Sequence, residues 1–162
     1  MFLSINYDKG KPIMDTFVIF INDAEFAKRQ LLAFIEGHAP ERWVLVGCPP
    51  RLPRHSGRFL SQPALKRWRA DWTREATQDI IELLSARGHE VSTRVAHTPL
   101  VAFTRQLRGE LGQSVRLLDA RRPRTGATLE PITQAQPGDR GDAWSATGGA
   151  IALGALITIA SE

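Results

Sequence analysis

Apolar positions along this chain follow two rhythms, and the switches between them outline its elements. Thr16 to Ile21 is a continuous run of β-branched and aromatic residues, the pattern of a strand buried on both faces. From Ala24, Phe26, Leu31 or Leu32, Phe34 and Ile35 recur at helical spacing up to Gly37, with the Asn22-Asp23 pair available as an N-cap. Arg42 to Gly47 repeats the buried-strand pattern, and Cys48-Pro49-Pro50 stops it because proline cannot donate to a ladder. A loop from Pro49 to Ser61 follows, long enough to face a ligand.

Ser61 or Gln62 opens a helix with Pro63 in its first turn. Leu65, Trp68, Trp72, Ala76, Ile80 and Leu83 or Leu84 trace one apolar stripe to about Arg87, with Gly88 as C-cap. The stripe predicts that both tryptophans pack into the core. Glu90 to Ala96 alternates weakly and reads as a third strand. Thr98-Pro99 then starts a helix carrying Leu100, Phe103, Leu107 and Leu111, which Gly112 ends. Val115 to Leu118 is a fourth strand. Strands alternating with crossovers of this length predict right-handed β–α–β units and a parallel sheet.

The rhythm fails after Gly126. Residues 124 to 143 are polar and rich in Gly, Pro, Gln and Asp, which predicts a flexible loop. The last segment, 144 to 162, is apolar, with its densest run from Gly148 to Ala160. That run is about thirteen residues, short of the roughly twenty that a bilayer requires. It reads as a final helix turn and strand or as an oligomer interface, rather than as a membrane anchor. Residues 1 to 14 form an N-terminal extension without the apolar stretch of a signal peptide, and Met14 is an alternative start.

Composition narrows the class without naming a substrate. With 162 residues, 43% hydrophobic and 23% charged, the chain suits one globular domain that buries a core without staples. Its formal charge is +4 and its pI about 9.8, since most basic groups are arginines that do not titrate near neutrality. That balance admits an anionic ligand or simple solubility. No aromatic residues interleave with the basic loops, so nucleic acid is not the expected partner. A lone Cys48 excludes an internal disulfide and is compatible with a cytoplasmic location. The four histidines show no metal spacing, so neither a metal nor a cofactor is expected.

The order of elements resembles the universal stress protein family. The local match is Gly88 to Pro123, where Gly88-His89-Glu90-Val91 and the residues through Phe103 look like the family's third strand and following helix. Thr16 to Glu25 looks like its first strand and acidic turn, with Asn22 where the family commonly has the aspartate that contacts the nucleoside. The resemblance spans about residues 15 to 123, inside a domain assigned to 15 to 162. It implies an α/β, three-layer Rossmann-like sandwich with a parallel sheet of about five strands. It also implies a homodimer through the last strand, pairing Leu156 to Ala160 with its symmetry mate.

The departures from the family bear on function. ATP-binding members carry glycines after the fourth strand whose backbone amides face the phosphates, and here Asp119 and Arg122 stand at the first two glycine positions. A side chain there blocks close backbone approach, so the chain resembles the members that do not bind ATP. The loop is instead rich in arginine. Arg121, Arg122 and Arg124 beside Asp119 form either a side-chain clamp for a small anion or a solvated basic loop with a local ion pair. Arg51, Arg54 and His55 follow the second strand, and His97 ends the third. In a parallel sheet these emerge on the same edge as Asn22, Asp23 and Arg121. No nucleophile and base can be paired. The expected function is therefore a non-enzymatic ligand-binding or regulatory stress-response module. The alternatives are an enzyme acting on a nucleotide or phosphorylated metabolite through an arginine-lined cleft, or a nucleic-acid-binding protein.

Overall fold

The computed structural model describes residues 14–112 and 114–134, together with the backbone of two strands, 150–153 and 156–159. Residues 1–13, 113, 135–149, 154–155 and 160–162 lie outside the described residues, and with them most of the expected N-terminal extension and part of the expected flexible loop. The chain runs β1 (Thr16–Ile21), α1 (Ala24–Ile35), β2 (Arg42–Gly47), a single turn α2 (Arg54–Gly57), α3 (Gln62–Ala86), β3 (Glu90–Val95), α4 (Leu100–Leu111), β4 (Arg116–Asp119), β5 (Ala150–Leu153) and β6 (Leu156–Ile159). Two described elements were not predicted, the turn α2 and the strand β5, which stands where a helix turn was expected. The turn α2 falls within the proline-rich loop after β2.

The sheet order is β3-β2-β1-β4-β6-β5. Its first four strands are parallel, with β1 between β2 and β4 and β3 at the edge. This four-stranded parallel core with flanking helices is an α/β fold consistent with the Rossmann-like class. The sheet continues differently from the parallel fifth strand expected. β6 joins β4 antiparallel, with Leu118 opposite Thr158, and β5 folds back on β6. A parallel addition requires a crossover helix, whereas a strand returning through a hairpin enters antiparallel. Within the apolar segment, residues 150–153 and 156–159 thus form an antiparallel pair, where a helix turn and one strand were expected.

Alternation along the central strands divides the core between two layers. Phe17, Ile19, Ile21, Trp43 and Leu45 face α1 and α3, meeting Leu31, Ile80 and Leu84. Val18, Phe20, Val44 and Val46 face α4, meeting Leu100, Phe103 and Leu107. Ile132 is fully buried in that second layer. The described part of the expected flexible loop, residues 124 to 134, is therefore pinned down. A β-bridge joins Arg124 to Ala127, and Ile132 anchors the segment against α4.

The predicted stripe on α3 holds only in its C-terminal half. The residues buried on this helix are Thr73, Thr77, Ile80 and Leu84, while Trp68 and Trp72 are half-buried. The cause is Gly47 at the end of β2. A Cβ there would lie 2.8 Å from Thr73 Cβ, so the missing side chain lets α3 rest its threonine face on the strand. Thr77 satisfies its buried hydroxyl by donating to the Thr73 carbonyl at 2.8 Å. The helix closes at Gly88, whose φ of +81° is cheap only for glycine.

A candidate ligand cleft at the carboxyl edge of the sheet

Register places the loops that matter. β1 pairs Phe20 with Asp119 of β4, so the residues just beyond, Asn22 and Arg122, leave the sheet side by side. The chain departs from β1 into α1 on one face and from β4 toward Ile132 on the other. This divergence is the kind of crevice where α/β sheets hold ligands. Here it is bridged. Asn22 Nδ2 donates to the Arg122 carbonyl at 3.1 Å, and the Arg122 amide donates to Asn22 Oδ1 at 2.6 Å. The Arg122 guanidinium adds a bond to Asp23 Oδ2 at 3.3 Å.

Asp23 also caps α1 by accepting from the Phe26 amide at 2.9 Å. Its carboxyl is held below the usual value by that backbone bond and by Arg122. Asn22, Asp23 and Arg122 therefore knit the switch point together. Their polar groups are engaged with one another.

The next arginine is committed more deeply. Arg121 is 4% exposed and Asp119 3%. Nε donates to Asp119 Oδ1 and Nη2 to Oδ2, both at 2.8 Å, and the Arg121 amide reaches Oδ1 at 3.2 Å. Burial alone would push the guanidinium pKa down, but the bonds and charge of Asp119 outweigh it and raise it. Of the two readings of this loop, the ion pair describes Arg121. The fork that a clamp would present to a ligand is closed on Asp119.

Open space lies beside this pair, toward β2 and β3. A cleft of about 470 Å³ has Asn22, Cys48 and Arg121 in its lining, with His97 at the end of β3. Arg51 enters from the loop after β2, Arg124 from the loop after β4, and Arg69 from α3. Arg51 and Arg124 are exposed and form no ion pair among the described residues. Arg69 is half-buried and fastened by a bond from Nη2 to the Ala96 carbonyl at 2.6 Å. His97 is exposed, its ring edge-on to Phe103 at 4.8 Å. Arg54 and His55, in α2, are exposed and are not part of the lining.

Sequence reasoning missed Arg69 and Glu130. Arg69 lies on a long helix that also carries exposed arginines, and what marks it out is its bond to the Ala96 carbonyl at the cleft wall, a partner 27 residues away. Glu130 lies in the stretch without periodicity. Its carboxylate takes the Leu100 amide at 2.7 Å, filling the anion position at the N-terminus of α4, which has no side-chain cap of its own. Cys48 lines the cleft half-buried, and burial pushes its thiol up to about 12, which disfavours the thiolate at neutral pH. With Arg121 matched by Asp119, Arg51, Arg69 and Arg124 stand against Glu130 and give the cleft a positive lining. Among the described residues no cluster of three or more His, Cys, Asp or Glu could hold a metal, and no helix is long and apolar enough to cross a membrane.

Comparison with protein-family models, with curated proteins and with solved structures finds no match to this chain.

Proposed function

We propose that this chain is a non-enzymatic ligand-binding or regulatory module, similar to the universal stress proteins that do not bind ATP, and that it takes a compact anion in the carboxyl-edge cleft. One observation carries the reading. Arg51, Arg69 and Arg124 come from three separate parts of the chain and converge on one concave surface beside the N-terminus of α4. Guanidinium groups from different elements around a pocket favour carboxylate or phosphate, which they grip through paired N–H donors. Asp119 and Arg122 stand where the ATP-binding members of that family carry the glycines that face the phosphates, which supports a ligand without a polyphosphate chain.

The same reading includes a homodimer through the C-terminal strands. β6 has both edges occupied, by β4 and by β5, so pairing Leu156 to Ala160 with a second copy would first have to break a ladder. Of the two C-terminal strands, β5 is the one with no second neighbour among the described residues, so the proposed dimer would form through its edge.

The test is a thermal-shift screen of sulfate, phosphate, citrate and magnesium ATP at matched ionic strength. A ligand at 100 times its Kd adds about 2.7 kcal/mol of stability, or roughly 5–10 °C for a domain of this size. A simple anion is expected to give this shift, and Arg51→Ala with Arg124→Ala is expected to remove most of it. Both residues are exposed, so the variant keeps its fold. An undiminished shift in the variant places the anion elsewhere, and a shift by magnesium ATP alone overturns the non-ATP reading. Consumption of a phosphorylated metabolite would favour the enzyme instead.

A further inference from the structure

We infer that the protein has a second anion site, separate from the cleft, in which α4 and residues 132–134 bind a tetrahedral oxyanion of the phosphate type. The space between them is a pocket of about 280 Å³, lined by Thr104, Arg105 and Arg108 from the helix and by Ile132, Thr133 and Gln134 opposite. Thr104 and Arg108 lie one turn apart, on the same face of α4.

The mark of a ligand is an excess of buried donors without partners. Thr104 is 2% exposed and Thr133 8%, and the hydroxyl of each makes no hydrogen bond among the described residues. The Nε of Arg108, which is also buried, makes none either. Buried polar groups are nearly always paired, so three such atoms around one small space call for a partner that the chain does not supply. Thr77 shows the alternative. It is a buried helical threonine too, and it satisfies itself on the carbonyl four residues back. Thr104 leaves that option unused.

Charge and number of donors specify the partner. The lining holds two arginines, two threonines and no carboxylate, so a cation is disfavoured and an anion favoured. Donors stand on both walls: two guanidinium groups and a hydroxyl on the helix, a hydroxyl opposite. A carboxylate offers two oxygens in one plane. A phosphate or phosphoryl group offers three or four oxygens directed to different sides, which suits donors facing each other across a pocket. The volume leaves room for more than the bare anion, so a free phosphate and the phosphoryl group of a small monoester share this chemistry.

The experiment uses the full chain with Arg51→Ala and Arg124→Ala already in place, so that binding in the cleft and binding here are read apart. Inorganic phosphate is titrated at constant ionic strength and followed by amide resonances in a ¹H–¹⁵N spectrum. Saturable shifts are expected at Thr104, Arg108 and Thr133. Adding Thr104→Val and Thr133→Val keeps shape, removes two stranded hydroxyls, leaves the protein at least as stable without phosphate, and weakens phosphate binding at least tenfold. Arg108→Gln weakens it similarly. Glycerol 3-phosphate binding more tightly than phosphate assigns the site to a phosphoryl group, and the reverse order assigns it to the free ion. The inference is overturned if the shifts never saturate, if they fall outside 101–108 and 132–134, or if the valine variant binds phosphate as well as its parent.

Discussion

Removing one member of the Asp119–Arg121 pair is expected to cost far more stability than removing both. The two side chains are 4% exposed or less and share two bonds of 2.8 Å, and a third bond runs from the Arg121 amide. Asp119→Leu deletes these three contacts and leaves a buried guanidinium, charged at neutral pH, without the carboxylate that faces it. Stranding a buried charge in this way costs about 3–5 kcal/mol, or roughly 6–20 °C in Tm for a domain of this size. Arg121→Met strands the carboxylate instead and falls in the same range. Asp119→Leu with Arg121→Met removes both charges and their desolvation, and is expected within about 1–2 kcal/mol of the parent. The coupling energy is therefore about 3 kcal/mol or more, well above additivity. Urea denaturation of the four proteins at neutral pH measures it, provided the m-values agree. Single variants costing under about 1 kcal/mol, with additive effects, would mean a pair as solvated as an ordinary surface one. The picture of a rigid, pre-paired floor to the cleft would then be wrong.

Three further expectations probe the neighbouring features. Gly47→Ala pushes a methyl into Thr73 and is expected to cost roughly 1–3 kcal/mol; Thr73→Ala removes two of the three colliding atoms and should recover part of the loss in the same denaturation assay, whereas a neutral Gly47→Ala would refute the close approach of α3. Cys48, with its thiol raised to about 12, should react with iodoacetamide at pH 8 far more slowly in the native protein than in urea; equal rates would refute that burial. Stability should fall with acid in two windows. Burial lowers the pKa of His89 beneath its usual 6.5, while its Nδ1 accepts the Glu41 amide at 3.0 Å, so the neutral ring stabilises the fold above about pH 6.5 and its contribution is lost as pH falls through the lowered folded value. Asp23, lowered from 3.8 chiefly by the Phe26 amide, stabilises above that value and is lost at more acid pH. His89→Gln should flatten the first window and leave the second, which denaturant midpoints between pH 3 and 8 will show.

Much of the frame was legible in advance because the strongest local signals were also the buried ones. Thr16–Ile21 and Arg42–Gly47 match β1 and β2 residue for residue, since a strand covered on both faces must be apolar throughout. Ser61 as N-cap and Gly88 as the left-handed stop bracket α3 because caps depend on neighbours in the chain. The misreadings arose where a distant residue decided. Trp68 and Trp72 form a regular stripe, yet Gly47 draws Thr73 and Thr77 to the sheet instead. Glu130 sits in a run without period, and its partner is an amide thirty residues away.

The candidate site shows the same division. That the loops carrying Asn22, Arg51, His97 and Arg121 share one edge followed from four parallel strands, a property of local pattern and chain handedness. Which of those groups remain open to a ligand did not. Arg121 and Arg122 look alike along the chain, but Asp119 closes over the first while Asn22 and Asp23 hold the second. Arg124, two residues on, lines the cleft together with Arg69 of α3. Element type is written locally because backbone hydrogen bonding and burial periodicity involve residues a few positions apart. Pairing of long charged side chains is settled across the sheet, by the register of β1 on β4 and the approach of α3 to β2, and only the folded arrangement decides it.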